Sequence, residues 1–91
     1  MEITREGNPV RLSAMEVRLM RYFLRHPGMG LSREKILKDV WGNDSLTSTR
    51  TLDVHVNTLR QKLESDPARP ELIVTVKGFG YMFTSQHASF G

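Results

Sequence analysis

The chain has 91 residues, 38% of them hydrophobic and 25% charged, with 13 Lys+Arg against 10 Asp+Glu and a formal net charge of +3. That makes one domain with a modest core, too apolar for disorder and too short for a second domain or a deep catalytic cavity. With no Cys, an apolar core must hold the fold and a reducing compartment fits; no stretch nears the ~20 apolar residues that span a bilayer, and the polar opening is no secretory signal, so no membrane partner is expected.

Residues 1–12 read as N-terminal strands. Ile3 to Arg5 is one arm of a hairpin, Glu6-Gly7-Asn8-Pro9 the turn, and Val10 to Leu12 the other arm. The first helix covers 13–26. Ser13-Ala14-Met15-Glu16 forms a capping box, and Leu12 with Val17 has staple spacing. Val17, Met20, Phe23 and Leu24, with Leu19 at the edge, predict the buried face. Arg18, Arg21 and Arg25 line the other side, as a solvated row or as a phosphate or partner-domain contact. His26-Pro27-Gly28 ends the helix. The second helix covers 32–41, with Ser32 as N-cap and Ile36, Leu37, Val40 and Trp41 pointing inward. Gly42 closes it, and residues 42–48 form a polar connection.

The third helix covers 49–64, capped by Ser48 or Thr49. Leu52, Val56, Leu59 and Leu63 fall at i, i+4, i+7 and i+11, a narrow apolar stripe. The opposite face carries Arg50, Val54, Asn57, Thr58 and Gln61. A solvating face is usually rich in Glu and Lys. Amides, a hydroxyl and a bare Val suit base edges and a thymine methyl instead. A loop at Ser65–Pro70 leads to a hairpin over 72–83, two β-rich runs around Lys77-Gly78-Phe79-Gly80. Residues 84–91 read as a loose tail.

The expected fold is therefore α+β: a winged helix–turn–helix. A three-helix core carries an N-terminal β-hairpin or small antiparallel sheet and a C-terminal β-hairpin wing. In that class the third helix enters the DNA major groove and the wing reaches an adjacent minor groove. The charge is spread along the chain, with 8 basic and 6 acidic residues in 1–48 and 5 and 4 in 49–91. A basic surface must then come from folding, not from a tail.

Several motifs in register carry a family resemblance. They are Leu12-Ser13-x-x-Glu16, Pro27-Gly28, Leu31-Ser32-Arg33-Glu34-x-Ile36-Leu37 and Val40-Trp41-Gly42. Arg50-Thr51-Leu52-Asp53-Val54-His55-Val56, Leu59-Arg60-x-Lys62-Leu63 and Thr75-Val76-Lys77-Gly78-Phe79-Gly80-Tyr81 complete the set. From about Val10 to Phe83 the chain is similar to the effector domain of OmpR/PhoB-type response regulators. The resemblance implies a transcription factor of a bacterial two-component system, acting in the cytoplasm on double-stranded DNA. It also implies an N-terminal receiver domain outside this chain, RNA polymerase as a partner, and a dimer on direct-repeat DNA. No cofactor is implied.

Position by position, Arg50, Thr51, His55 and Arg60 match residues that contact the DNA backbone or orient the helix on it. Val54, Asn57, Thr58 and Gln61 match readers of major-groove bases. Lys62 belongs to the same basic end of the helix. Lys77 with Gly78 matches the wing tip entering the minor groove, and Tyr81 a wing tyrosine near a phosphate. Asn43, Asp44, Ser45, Leu46 and Thr47 match the polymerase-contact loop. Trp41, at its start, is read as a core anchor rather than part of that contact. Asn57 and Thr58 stand where many members carry Arg. The family's longer N-terminal sheet suggests that the chain starts within it.

His26, His55 and His87 make no metal set. No nucleophile with a base, and no phosphate-cradling Gly loop before a helix, points to an enzyme. The rival reading is a winged helix used only for protein–protein contact, which the uncharged face permits.

Overall fold

The structure, a computed structural model, describes residues 2–5, 8–42 and 47–84. It opens with β1 (Glu2–Arg5) paired antiparallel to β2 (Asn8–Arg11), with Ile3 opposite Val10 and Thr4 opposite Pro9. The second strand thus starts within the turn expected over Glu6–Pro9, two residues before the expected arm at Val10. Pro9 is tolerated because a two-stranded ribbon is all edge, so a missing donor leaves no central ladder broken.

α1 (Ala14–Arg25) begins at the capping box expected of Ser13. Ser13 Oγ accepts the Glu16 N–H at 3.2 Å, and Glu16 Oε1 accepts the Ser13 N–H at 2.7 Å. The buried face differs by part of a turn from the one expected. Leu19 is fully buried at its centre and Tyr22 joins it, while Leu24 is 49% exposed. Leu24 lies about 140° around the wheel from Leu19 and about 100° from Phe23, too far to share their contacts.

β3 (Leu31–Ser32) was not expected, because Ser32 also reads as a helix cap. It does both jobs. Its Oγ accepts the Lys35 N–H while its backbone pairs with Gly80. α2 (Arg33–Ile36) runs directly into a π-helical turn (Leu37–Trp41), so the predicted 32–41 helix is split in type. α3 (Thr49–Leu63) is capped by Ser48 and buries Leu52, Val56, Leu59 and Leu63, the predicted stripe. β4 (Ile73–Val76) and β5 (Gly80–Phe83) form the wing, and β3-β5-β4 is the order of the antiparallel sheet.

The core lies between that sheet and the three helices. Leu19 and Phe23 meet Ile36, Leu52, Val56, Leu59, Ile73 and Phe83, all essentially inaccessible. Phe23 and Phe83 stack at 6.5 Å between centroids, tying α1 to the wing strand. Trp41 is only half-buried; it packs on the core edge and meets the His55 ring edge-on at 5.4 Å.

Candidate nucleic-acid interface

Burying four aliphatic residues along one stripe forces the opposite face of α3 outward. Arg50, Val54, Asn57 and Gln61 are all exposed, Val54 at 57%. Thr58 is half-covered, because its Oγ1 turns back to donate to the Val54 carbonyl at 3.0 Å. Three of the four expected base-facing residues therefore stand free in the centre of the helix. Thr58 offers a hydroxyl whose hydrogen is already committed.

The flanks of α3 are bound to the domain. On one flank Arg60 Nε donates to the Ile73 carbonyl at 2.9 Å, and Nη2 donates to Thr75 Oγ1 at 2.8 Å. Arg33 Nε and the Tyr81 hydroxyl both donate to Asp53 Oδ1, at 3.0 and 2.6 Å. The Arg33 and Arg60 guanidinium carbons lie over the Tyr81 ring at 5.2 and 5.3 Å from its centroid. Asp53 holds the Arg33 guanidinium more firmly protonated than usual. Burial first, and then the Asp53 carboxylate, push the Tyr81 phenol up. So Tyr81 is buried at 4% exposure, and its hydroxyl is aimed into the protein rather than outward at a phosphate. Arg60 reaches the wing backbone rather than standing free. The sequence could not show this, since Asp53, Arg60 and Tyr81 meet only through long-range folding.

On the other flank Lys62 departs from its expected role at the helix's basic end. Its Nζ donates to the Arg11 carbonyl at 2.8 Å and to Glu16 Oε1 at 2.7 Å. About 100° separates Lys62 from Gln61 on the helix, which turns it toward β2 and α1. His55, about two turns earlier along the helix, is half-buried, with Nδ1 2.9 Å from the Thr51 carbonyl. A carbonyl only accepts, so Nδ1 carries the hydrogen there. Thr51 is half-buried and spends its N–H on the Ser48 cap.

At the wing tip the Phe79 N–H donates to the Val76 carbonyl at 2.9 Å, a tight turn with Lys77 and Gly78 at its centre. Gly78 has φ +73, the left-handed region that favours glycine. Lys77 is exposed. Gly80 serves a different purpose, since a Cβ there would lie 1.9 Å from the Leu31 carbonyl oxygen. Its hydrogen is what allows β5 to close on β3. Of the expected polymerase-contact loop, Thr47 is half-buried; Asn43, Asp44, Ser45 and Leu46 lie outside the described residues. No group of three metal-ligating side chains occurs among the described residues.

A helix with an open, weakly charged face beside a basic-tipped hairpin defines a winged-helix domain of the kind that regulators of transcription carry. Residues 7–83 match the family model described as "Transcriptional regulatory protein, C terminal". The chain belongs to that family, and it is similar to the C-terminal DNA-binding domains of OmpR/PhoB-type response regulators. It is 47% identical over 81 residues to a probable transcriptional regulatory protein of Picosynechococcus, covering 89% of this chain and 32% of that protein. The chain thus spans about a third of the length of the curated relatives it matches. Among solved structures, the DNA-binding domain of Bacillus subtilis CssR is 39% identical with a TM-score of 0.75, covering 91% of this chain and 90% of that one. The Klebsiella pneumoniae RstA DNA-binding domain, solved in complex with the RstA box, is 29% identical with a TM-score of 0.77, covering 91% and 82%.

Proposed function

We propose that this domain binds double-stranded DNA sequence-specifically, with α3 in the major groove and the wing tip in the minor groove. The observation that carries the reading is the contrast along α3. Its centre, Val54, Asn57 and Gln61, is exposed and uncharged, while both flanks are tied into the domain. Binding has little use for such a face except to read something held against it. Asn57 and Gln61 would pair with adenine edges, and Val54 would meet a thymine methyl. Arg50 would contact phosphate at the start of the helix, with Thr51 and His55 supporting it. Lys77 and Gly78 would enter the minor groove. Arg60, Lys62 and Tyr81 take supporting roles in this reading, as struts rather than contacts.

In the intact protein a receiver domain would precede this one, in the bacterial cytoplasm. Two copies would occupy direct repeats, and the 43–47 segment would meet RNA polymerase. The family membership supports these expectations and assigns no enzymatic activity.

Binding-site selection with the wild type and with Asn57→Ala tests the reading. The variant is expected to relax preference at one or two base pairs, about 1–3 kcal/mol for a good bidentate contact. Identical motifs from both proteins would remove Asn57 from the readout. A module that binds only protein would return no motif from either.

A further inference from the structure

The arginine row of α1 is exposed and borders an open cleft. Arg18, Arg21 and Arg25 form one wall of this cleft of about 250 Å³, with Tyr22, Asp39 and Val40 lining the rest. Arg18 is fixed there, since its Nη2 donates to the Val40 carbonyl at 2.8 Å. Asp39 cannot neutralise the other two. The Tyr22 hydroxyl donates to it at 2.6 Å and Lys35 lies at 3.1 Å. The Tyr22 hydrogen bond first, and then Lys35, hold the Asp39 carboxyl below its ordinary range. Among the described residues Arg21 and Arg25 have neither ion pair nor side-chain hydrogen bond. Lys38 adds a further charge beside Asp39. Five cations therefore face one carboxylate that is already satisfied.

Like charges one turn apart weaken a helix, and a face meant only for solubility mixes signs. This face keeps one sign over about 10 Å of helix axis. We propose that the cleft between α1 and the end of the second helix is a docking site for an acidic protein surface. Carboxylates spaced one helical turn apart would meet Arg21 and Arg25, whose planar forks suit bidentate pairing. Such a partner leaves α3 free. The arginine row and the Val54–Gln61 face both point away from the shared core, from different helices. A duplex fits the site less well than a protein does. Asp39 lines the same cleft and would repel a phosphate strand laid along it.

The test titrates the ¹⁵N-labelled 91-residue chain with a helical peptide carrying Glu at successive i, i+4 positions. Amide shifts should concentrate at Arg18–Arg25 and Lys38–Val40. Arg21→Glu with Arg25→Glu should weaken peptide binding about tenfold, the scale of two partly exposed ion pairs. The milder pair Arg21→Gln with Arg25→Gln, with its fold checked by circular dichroism, should weaken the peptide and leave duplex binding unchanged. Shifts spread equally to Arg50 and Lys77, or equal peptide affinity after charge reversal, would overturn the proposal. Loss of duplex affinity in the glutamine pair would assign the cleft to nucleic acid instead.

Discussion

Lys62 shows how far a single side chain can leave the surface its sequence position suggests. The Glu16 carboxylate it meets is only 4% exposed, while Lys62 retains 31%. Removing the cation by Lys62→Met leaves a buried charge unpaired. We expect a loss of roughly 2–3 kcal/mol in urea unfolding, below the ~3–5 kcal/mol of a fully buried pair because water still reaches Lys62. Affinity for DNA, corrected for the folded fraction, should not change; a large specific loss would return Lys62 to the interface. Glu16 also sets a pH dependence. Burial pushes its carboxyl up, but Lys62 and the Ser13 amide outweigh that and leave it below the ordinary 4.5. A depressed folded pKa means stability that is present above about pH 4.5 and lost as pH falls through the folded value. The stability gap between wild type and Glu16→Gln should be flat near neutrality and shrink in acid; a gap that widens in acid contradicts the sign.

At the level of elements, wing and reading helix behave as one piece. Arg60 spans from α3 to β4, and Asp53 joins α3 to β5 and to the start of α2. Arg60→Met frees the Ile73 carbonyl and Thr75, and should cost about 1 kcal/mol after solvent screening. Amide exchange should quicken in β4 and β5 while the Leu52–Leu63 stripe stays protected; uniform quickening would indicate global destabilisation rather than a released wing. Leu59→Ala should cost roughly 2–5 kcal/mol by emptying a fully buried site, and an unchanged melting temperature would mean that α3 is docked the other way round. The helices were legible because their signals are local: the Ser13 box, the Ser48 cap and the four-residue stripe all act within a few turns. β3 was not, since two residues give no period and Ser32 already reads as a cap. Leu19 and Leu24 exchanged places because both lie near the edge of a stripe, and only the sheet packed against α1 decides between them. Of the candidate interface, the exposed centre was readable from spacing. The inward turn of Arg60, Lys62 and Tyr81 was not, because long side chains choose partners that are distant in sequence.

Across the proposed interface, much of the positive charge is engaged within the domain. Arg33, Arg60 and Lys62 are engaged with the protein, which leaves Arg50 and Lys77 as the free cations of the proposed interface among the described residues. Binding should therefore depend weakly on salt. With a logarithmic slope of about −0.9 per phosphate neutralised, two cations give about −2 per domain, and a measured slope near −6 would mean that other basic residues reach the backbone. Such a domain would hold non-target DNA poorly and rely on a second copy, or on its base contacts, for residence.

Glu64 has a consequence for engineering. Its carboxylate accepts the N–H groups of Glu71, Leu72 and Ile73, at 2.9 to 3.1 Å. The origin of β4 is thereby pinned to the end of α3 by Glu64, beside the Arg60 bond to the Ile73 carbonyl, independently of the path the chain takes between them. The 65–70 segment is free to lengthen without moving the wing, because closing a longer loop adds only about 0.6 kcal/mol per doubling. A tag or fluorophore grafted beside Ala68 should report on binding without disturbing it, provided Glu64 is kept.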